Sequence, residues 1–277
     1  LSCDAAVMQS VLRDFRNYGR HGQITPKNYP LKIITSQPMS TETKKFADPA
    51  AVASGFAADF AEWFAIQGQE KVTIALSGGS TPKLLFELWA SEYADKIDWS
   101  RIHFFWGDER CVDPDDSDSN YGVAKALFLD QVQIPAENVH RVLGEADPDE
   151  ERLRYENEIY GYVDIDDNAV PEFDLIILGM GTDGHTASIF PHQSQFLKSP
   201  QVCEVAIHPE TAQKRITLTG PVLNRGKKVA FLITGADKAE VLTQVINKSG
   251  ESDSFPASHV EADDLTFYVD DAAAARL

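Results

Sequence analysis

The chain has 277 residues, of which 43% are hydrophobic and 25% are charged, as is usual for soluble globular proteins. Its formal net charge of −18 argues against a nucleic-acid partner, because phosphate backbones bind to basic surfaces. The charge does not exclude a small anionic ligand, since a few focused arginines and lysines can set the local potential of a cleft.

The cysteine pattern argues against disulfide bonds. Cys3, Cys111 and Cys203 are odd in number and form no C-x-x-C pair, so we also expect no cysteine zinc site. The lack of a disulfide pattern among the cysteines favours a reducing, cytoplasmic location. The sequence has no apolar run of about 18 residues, so no membrane span is expected. Residues 1–20 lack the continuous apolar segment of a secretory signal.

Residues 1–40 differ from the rest of the chain. Prolines and glycines interrupt them, and they show little sustained periodicity. We interpret them as an N-terminal extension with one short helix over 5–15, and Met39 as a natural start of the protein. From residue 41 to residue 277 the pattern is continuous, without an internal repeat or a low-complexity linker, which predicts a single domain.

Helix and strand signals alternate along this domain. Asp48 and Pro49 predict a helix start, with aspartate at the N-cap and proline at the first helical position. The predicted strands are 72–76, 102–106, 139–142, 173–178, 215–219, 229–234 and 265–269. The predicted helices are 50–66, 82–88, 121–128, 148–160, a short one from Pro221, 237–247 and 271–275. Alternation of helices with continuously apolar strands predicts an α/β fold with a mostly parallel sheet.

A glycine-rich loop follows the strand 72–76 and consists of Ser77, Gly78, Gly79, Ser80 and Thr81. Glycines let a backbone fold around an anion, hydroxyls supply donors, and the helix that follows adds its positive end. The loop has the composition of a phosphate site, although a glycine-rich turn capped by Ser and Thr would look the same. It matches neither G-x-x-x-x-G-K-[ST] nor G-x-G-x-x-G, so it implies neither a nucleoside triphosphate nor a dinucleotide.

Three consecutive charges, Asp108, Glu109 and Arg110, directly follow the apolar strand 102–106. The end of a buried strand is an unusual place for them unless they face a polar cavity. Arg110 could hold a phosphate or carboxylate or stabilise an oxyanion, and Asp108 could pair with it or receive a substrate hydroxyl. The alternative is a solvated turn with a surface ion pair.

The strand 173–178 ends in a turn that contains Gly179, Gly181, Asp183, Gly184 and His185. In open α/β sheets, ligands bind at the carboxyl ends of the strands. A histidine there can act as a general base near neutral pH, with a nearby aspartate to orient it. An ordinary strand-to-helix turn with a surface histidine is the alternative, and the dense glycine pattern argues against it.

Two further cations are placed near strand ends. Arg215 opens the strand 215–219, and alternation predicts that it faces the site in preference to Lys214. Lys238 begins the helix after the strand 229–234, where an exposed helix lysine is an equally good reading.

The sequence predicts no metal site and no serine nucleophile. The acidic run 113–118 does not match the EF-hand pattern, and the other histidines lack metal-ligand spacing. No G-x-S-x-G elbow is present, so a serine hydrolase triad is unsupported.

Four segments, ordered along the chain, resemble the 6-phosphogluconolactonases. They are residues 77–82 (SGGSTP), 106–110 (WGDER), 179–191 (GMGTDGHTASIFP) and 215–219 (RITLT). The resemblance extends from about residue 42 to the end of the chain. It implies the glucosamine-6-phosphate isomerase-like fold, a modified Rossmann-type α/β sheet with helices on both faces, here as one catalytic domain over 41–277.

The resemblance also implies a reaction, the hydrolysis of 6-phospho-D-glucono-1,5-lactone to 6-phospho-D-gluconate, which is the second step of the oxidative pentose phosphate pathway. His185 would deprotonate a water molecule, Asp183 would hold its ring, and Arg110 or Arg215 would stabilise the oxyanion. The expected substrate-binding residues are Ser77, Gly78, Gly79, Ser80, Thr81, Asp108, Gly181, Arg215 and Lys238. The resemblance does not decide which arginine binds the phosphate and which stabilises the oxyanion. No cofactor or metal is expected.

Two other functions deserve comparison with the lactonase. Glucosamine-6-phosphate deaminases usually continue from the histidine towards an Asn-Glu-Pro segment with a catalytic acid, whereas residues 186–191 contain no acid. A non-catalytic sugar-phosphate sensor with a DNA-binding extension is disfavoured because residues 1–40 are too short and broken for a helix-turn-helix. We therefore expect an enzyme that acts on a phosphosugar lactone, as a monomer or weak homo-oligomer, without nucleic-acid or membrane partners.

Overall fold

The computed structural model describes residues 40–277, which belong to one compact unit. The predictions made for residues 1–39, including the short helix over 5–15 and the start at Met39, lie outside the described residues. None of the helices described from residue 40 onwards is both long enough and apolar enough to cross a membrane.

Nine strands are described in this part of the chain. They are β1 (Ser40–Phe46), β2 (Val72–Leu76), β3 (Ile102–Trp106), β4 (Asp108–Arg110), β5 (Leu175–Leu178), β6 (Cys203–Ile207), β7 (Lys214–Leu218), β8 (Val229–Ile233) and β9 (Asp264–Asp270). Six of them form a parallel sheet in the order β1-β9-β8-β5-β2-β3. The central strands β2, β5 and β8 are buried along their whole length, which explains why their sequences are apolar without alternation.

Helices cover both faces of this sheet, which confirms the predicted fold class. They are α1 (Pro49–Ala65), α2 (Ser80–Ser91), α3 (Asn120–Ala124), α4 (Pro148–Tyr162), α5 (Gly220–Arg225) and α6 (Ala239–Asn247). Ile74 and Leu76 of β2 face a core that α1 and α2 complete, whereas Ala75 faces the opposite core with α4, α5 and α6. The predicted start of α1 is confirmed, because the Asp48 side chain accepts a hydrogen bond from the Ala51 backbone at 2.8 Å.

A second sheet of three antiparallel strands, in the order β4-β7-β6, lies next to the main sheet. Gly107 connects the two, because its N–H donates to the Leu76 carbonyl and its carbonyl accepts from Leu218 N, both at 2.8 Å. The sequence predicted β7 but neither β4 nor β6. The register places Arg110 of β4 directly opposite Arg215 of β7.

Two predicted elements are wrong. Residues 139–142 form no strand, since Val139 makes only an isolated bridge with Phe104 before the chain turns away. Residues 271–275 form turns in place of a helix, and the first turn is held by Asp270, whose carboxylate accepts from Ala273 N at 2.7 Å.

Several boundaries also differ from the prediction. Helix α2 begins at Ser80 and not at Pro82, and it continues to Ser91. The predicted helix 121–128 is α3 followed by a π-helical turn, Lys125–Leu129. The polar edge strand β1 and the 3₁₀ segment Pro191–Lys198 were not predicted, because neither shows a sustained apolar period.

Candidate active site

A cleft of about 270 Å³ opens at the carboxyl ends of the parallel strands. It brings together the side chains and backbone of six chain segments. They contribute Ser77 to Pro82, then Asp108 and Arg110, Asn120, then Gly179 to Gly181 with His185 and Ala187, Arg215, and finally Leu232 to Thr234 with Lys238. Every predicted substrate-binding residue lines this cleft, and Asp183 contacts His185 at its wall.

Asp183 holds the imidazole of His185. Its Oδ1 lies 2.6 Å from His185 Nδ1 and also accepts the His185 backbone N–H at 3.1 Å. Burial alone would raise the pKa of Asp183, but its hydrogen bond to His185 and the charge of that ring lower it below the ordinary value. An ionised Asp183 favours the tautomer with its proton on Nδ1, which leaves Nε2 able to accept a proton.

The loop that contains Asp183 and His185 is closed by a hydrogen bond within its own backbone. Gly184 has φ +76°, and a hydrogen bond joins Gly181 N to the His185 carbonyl at 2.9 Å. Gly181 cannot carry a side chain here, because a Cβ would lie 2.2 Å from His185 Nδ1 and 2.4 Å from Asp183 Oδ1. Thr186 donates its hydroxyl to the Gly179 carbonyl at 2.9 Å, which ties the loop back to β5.

The glycine-rich loop forms the N-terminal end of α2. Gly79 is the N-cap, with φ +112°, and it has no side chain to accept hydrogen bonds from the first turn of the helix. The N–H groups of that turn and the positive end of α2 are therefore available to an anion. Thr81 Oγ1 lies 2.9 Å from Thr234 Oγ1 at the end of β8, which brings the loop close to the segment with Lys238.

The three charges of β4 divide between the cleft and the interior. Asp108 and Arg110 line the cleft, whereas Glu109 is only 1% exposed. The Glu109 carboxylate accepts hydrogen bonds from the backbone N–H groups of Asn120 and Tyr121 at 2.8 and 2.7 Å. Burial raises the pKa of Glu109, although these hydrogen bonds oppose the shift. Glu109 therefore anchors the start of α3 and does not face the cleft.

The two cleft arginines are held by neutral acceptors. Arg110 donates from Nη1 to the Asp118 carbonyl at 2.7 Å, and its Nε is buried with no hydrogen-bond partner among the described residues. Arg215 donates to Gln213 Oε1 and to Ser188 Oγ, both at 3.4 Å. Burial and the charge of Arg110 lower the pKa of Arg215. Two adjacent guanidinium groups that form no ion pair with a carboxylate of residues 40–277 are suited to bind an anion.

Sequence reasoning missed several residues at the site. Asn120 lines the cleft beside Gly78 and donates to the Asp108 carbonyl at 2.9 Å. Ser188 is fully buried and donates its hydroxyl to Asp108 Oδ2 at 2.7 Å. Ser188 lies in the same motif as His185, so its position was a usable signal, whereas nothing in the local sequence distinguishes Asn120.

Comparison with known proteins shows one family. The family described as glucosamine-6-phosphate isomerases/6-phosphogluconolactonase matches residues 47–268. A 6-phosphogluconolactonase of Haemophilus influenzae is 45% identical over 221 residues, which cover 78% of this chain and 93% of the relative. A 6-phosphogluconolactonase of Treponema pallidum is 40% identical, with 72% of this chain and 82% of the relative covered.

Solved structures show the same similarity. A crystal structure described as devB protein has a TM-score of 0.81 and 42% identity, and the match covers 86% of this chain and all 100% of the other. The 6-phosphogluconolactonase of Trypanosoma brucei has a TM-score of 0.76 and 27% identity, with 86% and 99% covered. A monomeric glucosamine-6-phosphate deaminase, at 22% identity and a TM-score of 0.69, shares the fold over 85% of this chain and 100% of its own.

Proposed function

The chain belongs to the family of glucosamine-6-phosphate isomerases and 6-phosphogluconolactonases, and we propose that it hydrolyses 6-phospho-D-glucono-1,5-lactone to 6-phospho-D-gluconate by a water molecule that His185 activates. It is a carboxylic ester hydrolase of the oxidative pentose phosphate pathway. The observation that carries the proposed mechanism is the Asp183–His185 pair in one cleft with a glycine-rich loop and two arginines that form no ion pair within the described residues.

A lactone is an activated ester, so the reaction needs no covalent nucleophile. His185 Nε2 takes a proton from water while the oxygen attacks the lactone carbonyl carbon, and Asp183 stabilises the imidazolium that forms. The tetrahedral intermediate then breaks its bond to the ring oxygen, which takes the proton from His185. The product is the open-chain carboxylate, whose acid proton passes to solvent.

The cations of the cleft divide between the 6-phosphate of the substrate and the oxyanion that develops at its carbonyl oxygen. Lys238 lies on the side of the glycine-rich loop, and this side suits the 6-phosphate. Arg215 and His185 share contact with one aromatic ring, since the guanidinium lies 5.6 Å and the imidazole 4.7 Å from the centre of Phe190. Arg215, with Arg110 opposite, therefore suits the carbonyl oxygen, where one donor to an oxyanion is worth roughly 3 kcal/mol.

Hydrolysis of freshly generated lactone by wild type and His185→Ala tests this proposal. Product formation is followed through 6-phosphogluconate dehydrogenase, with an enzyme-free reaction for the spontaneous rate. We expect His185→Ala to lose roughly 10²- to 10⁴-fold in kcat, because the general base is gone. Calorimetry should still show 6-phosphogluconate binding to this variant, since the anion-binding groups are intact.

His259→Ala is the matched control, because His259 is exposed and its side chain bonds only the Asp253 carbonyl in the described residues. It should hydrolyse the lactone at the wild-type rate. A wild-type protein that binds 6-phosphogluconate without accelerating hydrolysis would contradict the proposed reaction. Deamination of glucosamine 6-phosphate would then be assayed on the same protein.

We also propose that the enzyme works in the cytoplasm as a monomer or weak homo-oligomer. Cys111 and Cys203 form no disulfide within residues 40–277, which suits a reducing compartment. Light scattering across a range of protein concentrations tests the oligomeric state.

A further inference from the structure

Arg110 and Arg215 differ from most arginines of this protein. Five others in the described residues are ion-paired with a carboxylate within 4 Å, namely Arg141, Arg152, Arg154, Arg225 and Arg276. Neither Arg110 nor Arg215 forms such a pair within residues 40–277, although both lie beside acids. In a chain with a net charge of −18, an unpaired buried guanidinium requires an explanation.

One explanation is the side-chain amide of Gln213, which lies between Arg215 and the carboxylate of Asp118. Its Oε1 accepts from Arg215 Nε at 3.4 Å, and its Nε2 donates to Asp118 Oδ2 at 3.1 Å. The negative end of the amide dipole therefore faces the cation and the positive end faces the anion. Both charges are therefore solvated by a neutral group and form no direct ion pair within the described residues, although Asp118 still raises the pKa of Arg215 through its charge.

The hydroxyl of Ser188 lies between Arg215 and a second carboxylate, that of Asp108. It donates to Asp108 Oδ2 at 2.7 Å and accepts from Arg215 Nη1 at 3.4 Å. The Ser188 backbone N–H donates to Thr217 Oγ1 at 3.0 Å, and the residue is fully buried. A fixed serine therefore separates Arg215 from Asp108.

We propose that Gln213 and Ser188 are positioning residues that keep Asp118 and Asp108 from pairing with Arg215, so that its charge stays available to an anionic substrate. Here they are called the separators. A guanidinium already paired with a carboxylate must lose that partner before it binds an anion, whereas a guanidinium held by neutral dipoles needs only small rearrangements. The identity of the anion rests on the proposed function, but the separation of charges does not.

A mutant cycle on Gln213 and Asp118 tests the separator role. The dissociation constant of 6-phosphogluconate is measured by calorimetry for wild type, Gln213→Ala, Asp118→Asn and the double variant. We expect Gln213→Ala to weaken binding roughly fivefold, which is the upper range for one partly exposed ion pair, because Asp118 can then pair with Arg215. Removing that carboxylate in the double variant should restore the affinity to that of Asp118→Asn.

Gln213→Glu supplies a second, independent comparison. It places a carboxylate directly against Arg215, so it should weaken binding more than Gln213→Ala does, and Asp118→Asn should not rescue it. Gln201→Glu is the control for the added negative charge, because Gln201 is exposed and lies outside the cleft lining. Thermal unfolding shows whether each variant is folded.

The proposal is overturned if the double variant binds no better than Gln213→Ala, since Gln213 then acts only through its own hydrogen bond. It is equally overturned if Gln213→Glu and Gln213→Ala have the same affinity. Because calorimetry uses the product and needs no turnover, these outcomes are independent of whether the wild-type protein hydrolyses the lactone. A positioning role further predicts that kcat/KM falls in Gln213→Ala and recovers in the double variant.

Discussion

Gly181 lies against the Asp183–His185 pair and restricts its geometry. A Cβ at this position would meet His185 Nδ1 at 2.2 Å and Asp183 Oδ1 at 2.4 Å, so Gly181→Ala must push the pair apart. We expect kcat for lactone hydrolysis to fall by about 10²-fold, the effect of a displacement of about 1 Å at a catalytic group. The affinity for 6-phosphogluconate should fall less than kcat does, because the glycine-rich loop and the two arginines are unchanged.

Gly161→Ala is the matched control for this substitution. Gly161 lies in α4, and a Cβ there would have no neighbour within 4 Å. The free energy of unfolding should rise by up to about 1 kcal/mol, because alanine favours a helix over glycine, and kcat should be unchanged. Equal activity in both variants would show that Gly181 has no part in positioning His185.

At the scale of single residues, alternation and motif spacing predicted part of the site. Arg215 lies in the cleft and Lys214 is exposed, as the alternation along β7 requires. The contacts of the separators were not predictable, although Ser188 belongs to the His185 motif, because Gln213 contacts Asp118 at a distance of 95 residues along the chain and Ser188 contacts Asp108 at a distance of 80. Such contacts depend on the tertiary fold, and local pattern carries no trace of them.

Among the elements, β3 and α4 are joined by a partly buried chain of titratable groups, of which His140 is the buried member. His103 Nδ1 lies 2.8 Å from His140 Nε2, and His140 Nδ1 lies 2.7 Å from Glu158 Oε1. Burial, with the charges of His140 and Lys71, lowers the pKa of His103 from 6.5 to about 4. Burial also lowers the pKa of His140, although Glu158 opposes the shift.

These shifts predict a loss of stability in mild acid. In the unfolded chain these histidines take up protons near pH 6.5, whereas in the folded protein they do so only at lower pH. The contribution of the two neutral histidines to the free energy of unfolding is therefore complete above about pH 6.5 and falls towards pH 4. We expect His103→Asn to reduce the drop in unfolding free energy between pH 7 and pH 5 by roughly 1 kcal/mol, allowing for partial exposure. Urea unfolding at both pH values measures the drop. An identical drop in wild type and variant would contradict a role for His103.

The elements also show where sequence patterns succeed. β2 and β8 were placed to within one residue, because strands buried on both faces must be continuously apolar. β4 has three residues, all charged, and β6 has a mixed burial pattern, so neither resembles a strand by composition. Their pairing is imposed by β7, which lies between them.

In the molecule as a whole, both sheets contribute to the cleft. Arg110 and Arg215 belong to the small sheet, whereas the glycine-rich loop and the His185 loop follow strands of the large one. A ligand that spans the cleft should therefore stabilise the complete fold. At a hundred times its dissociation constant, 6-phosphogluconate should add about 2.7 kcal/mol.

This stabilisation should raise the melting temperature by roughly 5–10 °C, as differential scanning calorimetry can measure. Glucose is the control ligand, because it lacks both anionic groups and should produce no shift. His185→Ala should show the same rise as wild type, since its binding groups are unchanged. A wild-type melting temperature that does not respond to 6-phosphogluconate would argue against the assigned cleft.

The three-residue strand β4 limits how this protein can change during evolution. Side chains of a strand alternate, so Asp108 and Arg110 line the cleft while Glu109 holds α3 from the interior. One residue inserted into or deleted from β4 would turn the cleft-facing side chains inwards and the inward-facing one towards the cleft. Arg110 would then be buried where the Glu109 carboxylate now lies. Selection can therefore vary the composition of this segment more easily than its length, and tolerance of insertions should be confined to surface loops away from it.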